Sequence, residues 1–482
     1  MKHNLSLADE TFKAAFVSGE FFVDCVAIKL TRNGPGSPAG YSAPGALAVT
    51  PARGATTRLV VPRDASNPYD PLAFFKESQS LTLGQIVPDH NYFALEATDT
   101  AGNVWKHAVA QACVVEETPA ATVLTVECAL LRLETTLEKP EPGATAMVFM
   151  EELSFPDRPS IPPKSLKAAK RPAKASSKAS VGMVSGLAVT FDHRRDRPGP
   201  RFYELFAENE DSVALDPGFD DRLLEGTRFV TATIATPVMR ETILGQKRVV
   251  ELARIRPSNK GDLIQPPLFV HGHEAEFHRL FERYFEYSRN NAQGEDYAPL
   301  SAKISGIFAL EGVFVDTVAL LLAVTVESIL GDDHFSSLGK PEADMSVQVD
   351  MLIAQARSVV GVSPKLIERG ISAIGSMKST RAVDKLQALV AAGLIDDADR
   401  ATWKKLRDST AHGSFEIDPA QLQKLYDGVY RVSTLAYKLA FLQIGYEGKF
   451  SNRAVVGWPI HHFPPGPAAP PSASASPAAP GA

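Results

Sequence analysis

From Glu20 to about Leu153 the apolar residues come in short β-rich groups: FFVDCVAIKL, TTRLVV, HNYFALEAT, VLTVECALLRLETTL and TAMVFM. Turn-forming clusters separate them, among them Asn33-Gly34-Pro35-Gly36 and Thr100-Ala101-Gly102-Asn103. This pattern predicts a mostly antiparallel β domain over 1–155. Residues 156–182 change character: SIPPKSLKAAKRPAKASSKAS carries repeated Lys with hardly an apolar anchor. Such a stretch cannot offset its ordering entropy, so it reads as a basic linker or long loop. Strand-like groups resume at GLAVTF, RFVTATIAT and RVVELARI and stop near Val270. This second β segment, 183–270, either completes the first sheet or stands alone, and the pattern leaves both open.

After His271 the period becomes helical. Phe277, Leu280, Phe281, Tyr284 and Phe285 fall on one stripe. The next helix, within 304–330, is apolar almost all round, which predicts a central place in a bundle. Further helices are expected over 345–358, 364–376, 381–392 and 397–412. The last begins at Asp418-Pro419 and carries Leu422, Leu425, Val429, Val432, Leu435, Leu439 and Leu442, with Gly445 as its stop. The bundle is expected over 271–460, and 461–482 reads as a Pro/Ala/Ser tail without order.

Composition bounds the function. The 482-residue chain has a formal net charge of −6, which excludes a uniformly basic nucleic-acid coat. The charge is uneven: 1–155 holds 18 acidic and 11 basic residues, whereas 156–182 holds seven basic residues against Asp157. Any site for RNA in the helical half must therefore be a small local cleft. Cys25, Cys113 and Cys128 are too scattered for a disulfide scaffold or a thiolate zinc site, and a reducing cytoplasm is expected. The start, MKHNLSLADE, lacks a signal-peptide core, and the uncharged stretch Thr317–Val326 is too short to cross a bilayer, so no membrane partner is expected.

The stretch with chemistry in it is Trp403-Lys-Lys-Leu-Arg407-Asp408-Ser-Thr-Ala-His412-Gly413, between two predicted helices. An Arg followed five positions later by His arises by chance in a chain of this length, so context must discriminate. Here the pair ends an amphipathic helix and precedes a long capped one. Arg407 offers a planar, permanently charged fork for phosphate oxygens. His412 titrates near neutrality and suits proton transfer. RNA supplies its own nucleophile, the 2′-hydroxyl, so neither a metal nor a cofactor is expected. The bland reading makes His412 a cation favoured by a helix C-terminus and leaves Arg407 and Asp408 as solvated face residues. Glu327 could orient Arg407 or His412, or else form a structural ion pair or sit on a solvent-facing edge. Lys404 and Lys405 are the nearest further supply of positive charge. Metal binding by His271, His273 and His278 or by His461 and His462 is disfavoured, because no zinc-ligand spacing joins them.

LRDSTAHG resembles the motif of the HEPN superfamily, helical bundles whose RNase members carry Arg, a polar residue, then His. Asp408 stands in the polar slot, where Asn is commoner. Val326-Glu327-Ser328-Ile329-Leu330, and Ile444-Gly445-Tyr446-Glu447-Gly448 before Gly457-Trp458-Pro459, are similar to the branch found in ApeA-like defence proteins. The likeness covers about 271–460, with 1–155 only loosely similar to the N-terminal domain of those proteins. It implies an α+β multidomain chain, a β-rich N-terminal region followed by an all-α HEPN-like bundle. It further implies a metal-independent endoribonuclease acting in antiviral defence, RNA as partner, and a homodimer through the bundle that joins two motifs in one cleft. Catalytic roles then fall to Arg407, Asp408 and His412, with Glu327 in support and Lys404 and Lys405 on RNA. The N-terminal region would sense an unidentified trigger. The rival reading is a non-catalytic HEPN-like module that binds RNA, nucleotide or protein, and a third is a β-domain carbohydrate or peptide binder with a structural bundle.

Overall fold

The computed structural model describes residues 7, 9–33, 41–62, 91–156, 179–193, 202–209, 215–255, 263–292, 297–310, 313–339, 343–411 and 419–465. The chain is α+β, with strands dominating its N-terminal half and helices its C-terminal half. Two compact units divide it. The first comprises 1–227, 234–258 and 270–278; the second comprises 228–233, 259–269 and 279–482.

In the first unit, helix α1 (Glu10–Ser18) precedes β1 (Phe21–Arg32), β2 (Tyr41–Thr50), β3 (Gly54–Pro62), β4 (Phe93–Asp99), β5 (Val104–Glu117) and β6 (Ala121–Cys128). These six strands close on themselves through antiparallel pairings in the order β1-β2-β3-β6-β5-β4, with β4 returning to β1. Closure removes the unpaired edges that an open sheet would expose. Alternation along β1 turns Phe21, Val23 and Cys25 inward, and after a bulge Ile28 and Leu30. Asp99 organises the β4–β5 turn. Its carboxylate accepts from the backbone of Ala101 and Asn103 at 2.9 and 2.8 Å and from the buried Trp105 indole at 3.2 Å. Gly54 allows β3 to close: a Cβ there would lie 2.3 Å from the carbonyl oxygen of Cys128, and its φ is +76°.

The sheet continues beyond the barrel. The long β7 (Leu130–Phe149) meets β5 near Trp105 and Leu133, then carries β11 (Met239–Ala253) and β10 (Tyr203–Asn209), which leads to β9 (Leu187–His193) and β8 (Ser180–Val184). The strands of 183–270 thus belong to one eleven-stranded sheet with those of the first segment. Strand β8 begins at Ser180, inside the stretch read as linker; residues 157–178 lie outside the described residues.

The group RFVTATIAT is not a strand. Its first four residues end helix α2 (Phe219–Thr231). Phe219, Leu223, Thr227 and Val230 are buried at helical spacing, Asp220 and Asp221 suit the helix N-terminus, and the Thr227 hydroxyl is absorbed by the Leu223 carbonyl at 2.8 Å. Burial nearly all round this helix, rather than on alternate residues, overrides the strand preference of β-branched side chains.

The helical elements are α3 (Glu274–Asn291), α4 (Pro299–Phe308), α5 (Val315–Leu330), α6 (Ala343–Arg357), α7 (Pro364–Gly375), α8 (Ala382–Ala391), α9 (Asp397–Ala411) and α10 (Pro419–Ile444). The apolar stretch 304–330 is divided between α4 and α5, which places Asp316 in the first turn of α5 rather than inside a helix. Nor is α5 buried all round: Thr317, Leu320 and Val324 form an exposed stripe. Val429, Val432, Leu435 and Leu439 of α10 are fully buried. Gly445, at φ +64°, ends that helix, with the Tyr446 amide donating back to Phe441. Residues 461–463, read as part of the tail, are ordered. Ile460–Phe463 forms β13, paired with β12 (Gly448–Ser451), because Phe463 buries its ring against Phe441 and Phe450. No helix among the described residues is long and apolar enough to cross a membrane.

Candidate functional site

Helix α9 owes its place to two buried anchors. Trp403 packs on α5 and donates its indole N–H to the Ala323 carbonyl at 3.2 Å. Asp399, fully buried, accepts from Lys438 at 2.8 Å and Arg431 at 3.1 Å, both on α10. Lys438 also reaches Asp396 at 3.2 Å. With Trp403 and Leu406 facing inward, the helical period turns Lys404, Arg407 and Asp408 outward as neighbours one turn apart.

Arg407 is held by Glu327. Its Nε donates to the Glu327 carboxylate on α5, and its guanidinium also lies 3.7 Å from Asp408. Arg407 is about half exposed, its side chain at 51%. The structure therefore brings Arg407, Asp408 and Glu327 together at the solvent-facing ends of two packed helices. Lys404 shares the Arg407 face, while Lys405, also exposed, lies roughly 160° around the helix from Arg407 and is separated from it. His412 lies outside the described residues, one position beyond the end of α9.

On this face two cations, Lys404 and Arg407, stand against two carboxylates, Glu327 and Asp408, so the patch is close to neutral. A planar guanidinium oriented by a carboxylate can grip a phosphate oxygen without reorganising. The exposed Leu320 and Val324 lie along the Glu327 side of α5, an apolar edge leading to the ion pair.

The sequence reading overlooked the anchoring residues. Asp399, Arg431 and Lys438 form the network that fixes α9 to α10. One signal was present: Lys438 interrupts the otherwise apolar run Leu435-Ala-Tyr-Lys438-Leu-Ala-Phe441, and a cation there needs a buried partner. His278 is likewise no ligand-like residue. It is buried in the first unit, with Nε2 2.9 Å from the Ser180 hydroxyl. Compared with known families, curated proteins and solved structures, the chain matches none.

Proposed function

We propose that this chain is a metal-independent endoribonuclease of HEPN type, a regulated effector in antiviral defence. The observation that supports the reading is the Glu327–Arg407 pair, which orients a phosphate-gripping group on the helix that leads directly to His412. In the proposed reaction a 2′-oxygen attacks the adjacent phosphorus, its proton passes to a base, and the 5′-oxygen leaves with a proton from an acid. Arg407 stabilises the charge gathered on the phosphorane, and Asp408 restrains Arg407. His412 transfers the protons. One histidine cannot be acid and base at once, so two copies contribute to one cleft. The β-rich first unit senses the trigger.

The test is RNA incubated with purified chain in EDTA, alone and with lysate of phage-infected cells. Cleavage is expected from the unaltered chain and a loss on the order of 100-fold or more from His412→Ala or Arg407→Ala. Cleavage that survives both substitutions would sink the assignment. A second reading has a specific observation behind it: the ion pair can serve simply as a clasp between α5 and α9 in a non-catalytic binding module. RNA retention without cleavage, weakened by Arg407→Ala, would favour that module.

A further inference from the structure

We propose that the hairpin of α6 and α7 docks on the same hairpin of a second copy of this chain. The inner seam of the hairpin is already filled. Val349 is buried, Ile353 and Ala356 are half-buried at the matching spacing, and Ile367, Ile371 and Ile374 answer them from α7. The chief packing partners of α6 are α7 and the short turn Ser376–Lys378. On the opposite side of α6, Val347, Met351 and Ala354 follow one another at i, i+4 and i+7, with Val347 61% and Met351 59% exposed. Leu366 of α7 is exposed as well, as are Val359, Val360 and Val362 in the connection, whereas Met345 and Leu352, also exposed, flank Val349 on the seam side. A helix apolar on two faces is one that packs on two partners, and here α7 supplies one of them.

Charge identifies the second partner. Asp344 stands in the first turn of α6 and Arg357 in its last. Asp350, between them, is compensated within the hairpin by Lys378. When two α6 helices pair antiparallel about a two-fold axis near Met351, Asp344 of each copy comes to the end where the other carries Arg357. Both ends are then complementary, as an isologous interface requires, and the helix dipoles oppose favourably. Parallel pairing would set Asp344 on Asp344 and Arg357 on Arg357. The inference concerns how two copies associate, and it rests on the two-copy reading of the Arg407 site only for its effect on cleavage.

Sedimentation equilibrium of the full chain tests it. The unaltered chain is expected to be a dimer. Met351→Glu or Val347→Glu should raise the dissociation constant at least about tenfold, the equivalent of one 1.4 kcal/mol step. Asp344→Arg and Arg357→Asp should each weaken the dimer, and the two together should restore it. The altered side chains are exposed, so far-ultraviolet circular dichroism should stay unchanged. A chain that stays monomeric at every concentration overturns the proposal, and so does a dimer indifferent to Met351→Glu. A dimer lost instead on Val324→Glu places the contact on α5 and also overturns it. A monomer whose hairpin amides become protected only in cell extract reveals a foreign partner, a fourth contrary outcome. A dimer that needs Met351 but cuts no RNA upholds the hairpin and sinks the nuclease reading. The two therefore fail separately.

Discussion

Glu327 on α5 and Arg407 on α9 are joined by an ion pair at the exposed end of a helix contact that Trp403 closes from inside through its bond to the Ala323 carbonyl. The two interactions lie one helical turn apart on α9 yet differ in physical weight. The ion pair is solvent-facing, and such pairs contribute about 0–1 kcal/mol. The pair therefore adds little to stability. Glu327→Gln should shift the melting temperature by no more than a degree or two. Under the nuclease reading the same change should lower the cleavage rate about tenfold or more, and Glu327→Asp should recover part of it. A large drop in melting temperature with full cleavage would make the pair a structural clasp.

Asp399 and Lys438 present the opposite case. Asp399 is fully buried and the Lys438 side chain is 5% exposed, so neither charge can turn to water. Asp399→Ala leaves Lys438 only the exposed Asp396, at 3.2 Å, and leaves Arg431 with one partner fewer. Removing one member of a buried pair costs about 3–5 kcal/mol, and the second unit should lose that much in urea unfolding. Lys438→Met alone leaves Asp399 with Arg431 and should cost less. In the double variant the penalties should fall short of additive, which a double-mutant cycle would read directly. Additive losses would show that the two residues do not act on each other.

What the sequence made legible follows from which forces act locally. The strand groups and the amphipathic helices were readable because one buried face leaves a periodic trace: Val23, Ile28 and Leu30 in β1, or Leu280, Phe281 and Tyr284 in α3. Closure of the barrel was not, because it depends on β4 pairing both β1 and β5, a long-range choice with no local signature. RFVTATIAT misled because its Thr and Val residues favour strand geometry, and only tertiary burial of Leu223 and Val230 decides for a helix. At the site, the nearness of Glu327 to Arg407 was one of several readings that spacing allowed. The depth of Asp399 was invisible, since DADRATW looks like any solvated helix start.

His278 makes the β-rich unit sensitive to acid. Its ring is packed between Phe191 and Phe277, with Nε2 on the Ser180 hydroxyl and Nδ1 without a hydrogen-bond partner. Gly182 supplies the room, since a Cβ there would lie 2.3 Å from Nδ1. Burial pushes the His278 pKa down to about 4, from an ordinary 6.5. The folded unit thus holds the ring neutral while the unfolded chain takes up a proton below 6.5. Stability from this residue is complete above about pH 6.5, falls as the pH drops toward 4, and levels off below that. The whole effect is at most about 3 kcal/mol, at 1.36 kcal/mol per pH unit. Hydrogen-exchange protection of β8 should fall across this window. In His278→Gln, which can keep a bond to Ser180 without titrating, the fall should be shallower, and the difference between the two profiles cancels every other titrating group. Gly182→Ala should destabilise β8 at all pH values, because it crowds a ring that two phenylalanines hold in place. Identical pH profiles for the unaltered chain and His278→Gln would remove His278 as the cause.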